Sequence, residues 1–171
     1  MLPHEDSANA HPAETLGERA SALVNPNSGL ANDFLNVYNE ILMLIENLPA
    51  VPELFDDILA WRPASYGAYF MQSQFDGRDK ALEAYAQLDP QFRARFEQVV
   101  VDLAESALRA VAEVACAVAE HDDEKRLAQV CETAAEKVRR VLPMAAQMVN
   151  FGHVQPGADD QARVNRIFSA A

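Results

Sequence analysis

The chain has 171 residues and half of them are hydrophobic, which is enough for one domain with a sizeable core. Its charge is strongly acidic, since 26 Asp and Glu residues against 14 Lys and Arg residues give a net charge of −12. A surface of that sign repels phosphate groups, and no Lys/Arg-rich run offsets it, so we do not expect nucleic acid or membrane partners. No apolar run is long enough to cross a bilayer and the N-terminus lacks the pattern of a secretory signal. Because Cys116 and Cys131 are also too few for a disulfide framework, we expect a cytoplasmic protein.

The N-terminal part of the sequence changes character at about residue 28. Residues 1–27 show no hydrophobic periodicity and are predicted to form a mobile tail, ahead of a single helical-bundle domain over 28–171. The sequence Asn-Pro-Asn-Ser-Gly at 25–29 is typical of a turn that precedes a helix, with Asn27 or Ser28 as the N-cap. A long helix over about 29–48 should follow, because its apolar residues recur at three- and four-residue steps.

Proline and glycine divide the middle of the chain into short segments. We predict capping helices over about 52–61, 64–74 and 79–88, each with too little apolar area to stand alone.

Two long helices are predicted next, over about 89–120 and 122–150. The first starts strongly, because Asp89 can cap it and Pro90 suits its first position. It is apolar around more than half of its circumference, so it should lie at the centre of the core or in a subunit interface. The second carries a heptad seam, and the short connection makes the two helices antiparallel neighbours. With a last short helix over about 159–168, the prediction is an all-α helical bundle.

No sequence motif for catalysis, nucleotides or a cofactor stands out, so an enzyme is the least favoured class. Cys116 and Glu120 lie four residues apart with His121 just beyond, and the three could share a metal ion. Acidic residues also suit the start of the next helix, and no metal site is predicted on that simpler interpretation. His121 could also serve as a phosphoacceptor, but it is expected at a helix end among acids that would repel a phosphoryl group.

The segment 61–85 is unusually aromatic, with six of the 13 aromatic residues of the chain. An aromatic pocket with an arginine could hold a small anionic ligand or a side chain of a partner. Arg62, Tyr66 and Tyr69 are the residues we predict for such a ligand sensor. The alternative is that short helices use large aromatic side chains to dock on the bundle.

The first long helix carries a stripe of asparagines where Lys, Glu or Arg would suit a solvated helix better. Asn32, Asn36, Asn39 and Glu40 are predicted to bind a protein partner, although chance variation on an exposed face would give the same pattern. The favoured function is therefore a non-catalytic interaction or regulatory module of a bacterial-type cytoplasmic protein, expected to be a homodimer. A small-ligand sensor and an auxiliary protein of two-component signalling are the alternatives.

Overall fold

The computed structural model describes residues 23–121 and 123–152, and in these ranges the predicted all-α helical bundle is confirmed. The predicted tail up to residue 22 and the predicted helix over about 159–168 lie outside the described residues. Single 3-10 turns, Asn32–Leu35 and Pro52–Leu54, precede the first two helices. The α-helices are α1 (Asn36–Asn47), α2 (Phe55–Ala60), α3 (Tyr66–Gln72), α4 (Arg78–Ala86), α5 (Pro90–Ala119) and α6 (Glu124–Phe151).

Local side-chain and backbone features explain where the two long helices begin and where α6 ends. The Asp89 carboxylate accepts the N–H of Phe92 at 2.9 Å at the start of α5, and Asp123 caps α6 in the same way. Gly152 ends α6 with φ 72°, and a Cβ there would lie only 2.9 Å from the carbonyl oxygen of Asn27. Glycine is therefore required at this position. Within the described ranges, no helix combines the length and the apolar character needed to cross a membrane.

Helices α5 and α6 pack along their lengths, and α1 lies against both. The Ser106 hydroxyl donates to the carbonyl oxygen of Lys137 at 3.0 Å, and the Lys137 ammonium lies 2.7 Å from Glu113 Oε2. Arg139 of α6 reaches Glu46 of α1 at 2.6 Å. Small residues in the α5–α6 seam let the backbones approach closely. The buried residues of α5 follow three- and four-residue steps: Phe96, Val100, Leu103, Ala107, Ala110, Val114 and Ala117.

The first helical segment begins later than predicted. Val24 and Ala31 form an isolated antiparallel bridge that closes a turn, and the 3-10 turn Asn32–Leu35 follows before α1 begins. Ala31 occupies the cap position and supplies no side-chain acceptor. The prediction that Asn27 or Ser28 caps this helix is therefore wrong.

Ser28 fixes the chain to the end of α6 instead. It is buried, its hydroxyl donates to the carbonyl oxygen of Val149, and it accepts the N–H of Leu30 at 3.2 Å. Asn25 adds a second link, because its side chain donates to the carbonyl oxygen of Asn150 at 3.1 Å. These hydrogen bonds hold the segment before α1 beside the C-terminal end of α6, more than 100 residues away along the chain.

Candidate functional site

Aromatic rings cluster where α3 and α4 meet the N-terminal part of α5. Tyr66 is at the centre of this cluster and is only 1 % exposed. The centroid of its ring lies 4.6 Å from that of Tyr85 in a stacked arrangement and 5.8 Å from that of Phe96 edge to face. The rings of Phe34 and Phe70 also lie beside it, with centroid distances of 5.4 Å and 4.8 Å. The rings therefore dock the short helices on the bundle.

The hydroxyl of Tyr66 already has a structural partner. It accepts the N–H of Ala31 at 2.8 Å, just before the first 3-10 turn. Burial raises the pKa of Tyr66 to about 12, since a tyrosinate would lose its hydration there. Tyr38 is held similarly: its hydroxyl donates to the carbonyl oxygen of Ala64 at 3.0 Å and burial raises its pKa to about 12. Both side chains are neutral core residues at physiological pH.

The other two predicted ligand residues do not share a cavity with Tyr66. The exposed Arg62 donates to the carbonyl oxygens of Leu59 and Trp61, at 2.7 Å and 2.6 Å. It thereby supplies hydrogen-bond donors to carbonyl groups at the C-terminal end of α2. Tyr69 is half-buried and packs edge to face on Phe34, with ring centroids 6.0 Å apart. Neither residue is part of the cavity that Tyr66 lines.

That cavity lies between α3, α4 and α5 and has a volume of about 260 Å³. We call it the aromatic cavity; its walls include Tyr66, Gly67, Tyr85, Phe96, Glu97 and Val101. The Tyr85 hydroxyl donates to Glu97 Oε1 at 2.6 Å, a short charge-assisted hydrogen bond. Burial and the neighbouring Glu97 carboxylate both raise the pKa of Tyr85, so its proton stays on the phenol. Among the described residues that line the cavity, Glu97 is the one that carries a charge.

Sequence reasoning found Tyr66 and missed Glu97 and Gly67. Nothing near Glu97 in the sequence distinguishes it from a solvated helix residue, because it meets Tyr85 only when α4 packs against α5. Gly67 carries a weak signal, since a glycine inside a short helix lowers its stability.

The predicted partner-binding residues lie together on one surface. Asn32, Asn36, Asn39 and Glu40 are all exposed, and Met43 beside them is 54 % exposed. We call these five residues the α1 face. Among the described residues, none forms a hydrogen bond with the side chain of any of these three asparagines. The opposite side of the same segment is core, with Phe34, Tyr38, Ile41 and Ile45 fully buried.

The Cys116 thiol is exposed and lies 3.4 Å from Glu120 Oε1, within one turn at the end of α5. His121 follows in the turn, with φ 57°. In the part of the chain that the structure describes, no three His, Cys, Asp or Glu side chains are grouped to hold a metal ion. The groove beside Cys116 has a volume of about 500 Å³ and is open, with Glu120 and Arg126 among its lining residues.

Comparisons with family models, curated proteins and solved structures find no match to this chain. A function can therefore be inferred only from the surfaces and cavities of the molecule.

Proposed function

We propose that the chain is a non-catalytic interaction module of a bacterial-type cytoplasmic protein, which binds a protein partner through the α1 face. The supporting observation is the exposure of Asn32, Asn36, Asn39, Glu40 and Met43 on one side of a segment whose other side is core. On the helical wheel of α1, Asn36, Asn39, Glu40 and Met43 fall within an arc of about 100°, and Asn32 is exposed in the 3-10 turn just before them. They therefore form one continuous surface.

The composition of the α1 face favours a binding role. Asparagine is less favourable inside a helix than Lys, Glu or Arg by a few tenths of a kcal/mol. Its amide supplies two donors and an acceptor, so a row of free amides suits a polar contact with another protein. Met43 adds a flexible apolar side chain that adapts to a partner.

Charge indicates the kind of partner. Between Ala20 and Trp61 the sequence has six acidic residues and neither Lys nor Arg. One of the six, Glu40, lies on the α1 face and is exposed. A partner surface with exposed amides and at least one Lys or Arg would complement this face and approach it faster at low salt.

The test is affinity purification of the tagged chain from its native host, with quantitative mass spectrometry. The double variant Asn36→Ala, Asn39→Ala should lose the proteins that the wild type retains. Its melting temperature should be equal to or slightly above that of the wild type, because both positions are exposed and alanine is the better helix former. The matched control is Gln74→Ala, Gln87→Ala, which removes two exposed amides from other elements. If the double variant keeps the same proteins in the same amounts, the proposal is wrong.

We also propose that the chain forms a homodimer, on the exposed apolar side of α5. Leu108 is 46 % exposed, and Val111 and Ala115 lie half-buried at three- and four-residue steps beyond it, on the same side of α5. The cytoplasm is the proposed location, since the two cysteines of the sequence, Cys116 and Cys131, are too few for a disulfide framework.

A further inference from the structure

Gly67 has no local structural explanation. Its backbone is not in the left-handed region, where the described glycines are Gly29 and Gly152. A Cβ built on Gly67 would meet no heavy atom within 4 Å, so no neighbour requires its absence. Glycine nevertheless makes the helix less stable than alanine would. What the missing side chain does provide is open space in the wall of the aromatic cavity.

The accessible walls offer a surface for an apolar group. Tyr85 is half-buried and stacks on the buried Tyr66, with ring centroids 4.6 Å apart, and the fully buried Phe96 lies behind them. Val101 is 48 % exposed where it borders the cavity, an exposure that is large for a valine beside aromatic rings. The volume of about 260 Å³ is just below the range of roughly 300–1,000 Å³ typical of drug-sized ligands, so a small molecule fits it best.

The polar side chains at the cavity are those of Tyr85, Glu97 and Ser65, and the Ser65 hydroxyl accepts the N–H of Ala68 at 3.2 Å. The hydrogen of the Tyr85 hydroxyl is used in the bond to Glu97, which leaves the phenol oxygen and the Glu97 carboxylate to accept from a ligand. Both described contacts of this carboxylate, with Tyr85 and with Arg93 at 4.0 Å, involve Oε1 rather than Oε2. The contact with Arg93 is long and exposed to solvent, so it neutralises Glu97 only weakly.

We infer that the aromatic cavity binds a small organic ammonium ion with an apolar body. The body would lie on Tyr85 and Val101 in the space left by Gly67, and the ammonium group would donate to Glu97. Aromatic rings beside a cation add attraction through their electron-rich faces. An anion, the class expected from the sequence, would meet the Glu97 carboxylate, because Arg62 lies elsewhere.

The test compares three probes of similar shape and different charge: 2-phenylethylammonium, 2-phenylethanol and 3-phenylpropanoate. Thermal shift and isothermal calorimetry on the full chain should detect binding of the cation. The alcohol should bind more weakly, and the carboxylate should show no binding. Glu97→Gln should weaken binding of the cation by roughly tenfold or more, since a hydrogen bond to a charged group is lost. Gly67→Leu should abolish binding by filling the cavity, while its own melting temperature is equal to or above that of the wild type.

The control variant is Glu105→Gln, one of the closest matches that α5 offers. Glu105 is an exposed glutamate paired with Arg109 four residues on, as Glu97 is paired with Arg93. The Glu105→Gln variant should bind the cation with the same affinity as the wild type. The inference is overturned if millimolar 2-phenylethylammonium produces no shift, if the alcohol or the carboxylate binds as well, or if either cavity variant binds like the wild type.

Discussion

Ser28 is a polar residue in an apolar environment, with only 6 % of its surface exposed. Its hydroxyl satisfies two backbone groups, the carbonyl of Val149 and the N–H of Leu30. Ser28→Ala would leave both groups buried without this partner, so we expect it to lower the free energy of unfolding by about 1–3 kcal/mol. Equilibrium unfolding in urea, monitored by circular dichroism, measures this loss.

The comparison variant for this prediction is Ser73→Ala. Ser73 is half-buried and its hydroxyl accepts only the N–H of Phe75, two residues away, at 3.2 Å. A local contact near solvent is easily replaced by water, so the loss should be smaller than for Ser28→Ala. Equal losses for the two variants would mean that the link between Ser28 and the end of α6 contributes little to stability.

Helix α6 continues through Pro143 without a break over Glu124–Phe151. A proline at that position cannot donate to the carbonyl of Arg139, and its ring crowds the preceding turn. Pro143 is exposed, so its ring does not belong to the buried core. We expect Pro143→Ala to raise the free energy of unfolding by about 1–3 kcal/mol, measured by urea and thermal unfolding.

Pro90→Ala serves as the control for the helix prediction. Pro90 occupies the first position of α5, where no intrahelical hydrogen bond is lost. Its replacement should change stability little. If Pro143→Ala brings no gain over Pro90→Ala, a bend in α6 must be needed for packing.

The helices differ in how well sequence predicts them, and the difference follows from where the determining contacts lie. The long helices could be placed because Asp89 and Asp123 cap residues only three positions away. The start of the first helix could not, because Ser28 is bound to Val149 through a contact that no local pattern reveals. The same holds for the candidate site: Tyr66 was found from its aromatic neighbours, whereas Glu97 joins it only through the packing of α4 on α5.

The described chain distributes charge unevenly over the molecule. The segment up to Trp61 is acidic, whereas α6 carries five Lys and Arg residues against three Glu residues: Lys125, Arg126, Lys137, Arg139 and Arg140 against Glu124, Glu132 and Glu136. The pair between Arg139 and Glu46 joins the two regions at 2.6 Å. This asymmetry places Glu40 of the α1 face in the acidic part of the sequence, which favours the basic partner proposed for that face.

The exposed apolar side of α5 is a property of the whole molecule, because neither α1 nor α6 covers it. Leu108 is 46 % exposed there, with Val111 and Ala115 half-buried beside it at three- and four-residue steps. Such a stripe is costly in water and is stabilised when a second copy packs against it. We therefore expect a dimer at micromolar concentration, with a mass about twice the 18.8 kDa of one chain, in sedimentation equilibrium.

Leu108→Glu should convert this dimer into a monomer, because a two-fold interface brings each introduced charge close to its symmetry mate and buries it without a partner. Leu59→Glu is the control, since Leu59 is exposed to a similar extent, 43 %, but lies on α2. It should remain a dimer with the sedimentation profile of the wild type. A wild-type chain that sediments as a monomer, or a Leu59→Glu variant that dissociates as readily as Leu108→Glu, would show that α5 does not form the subunit interface.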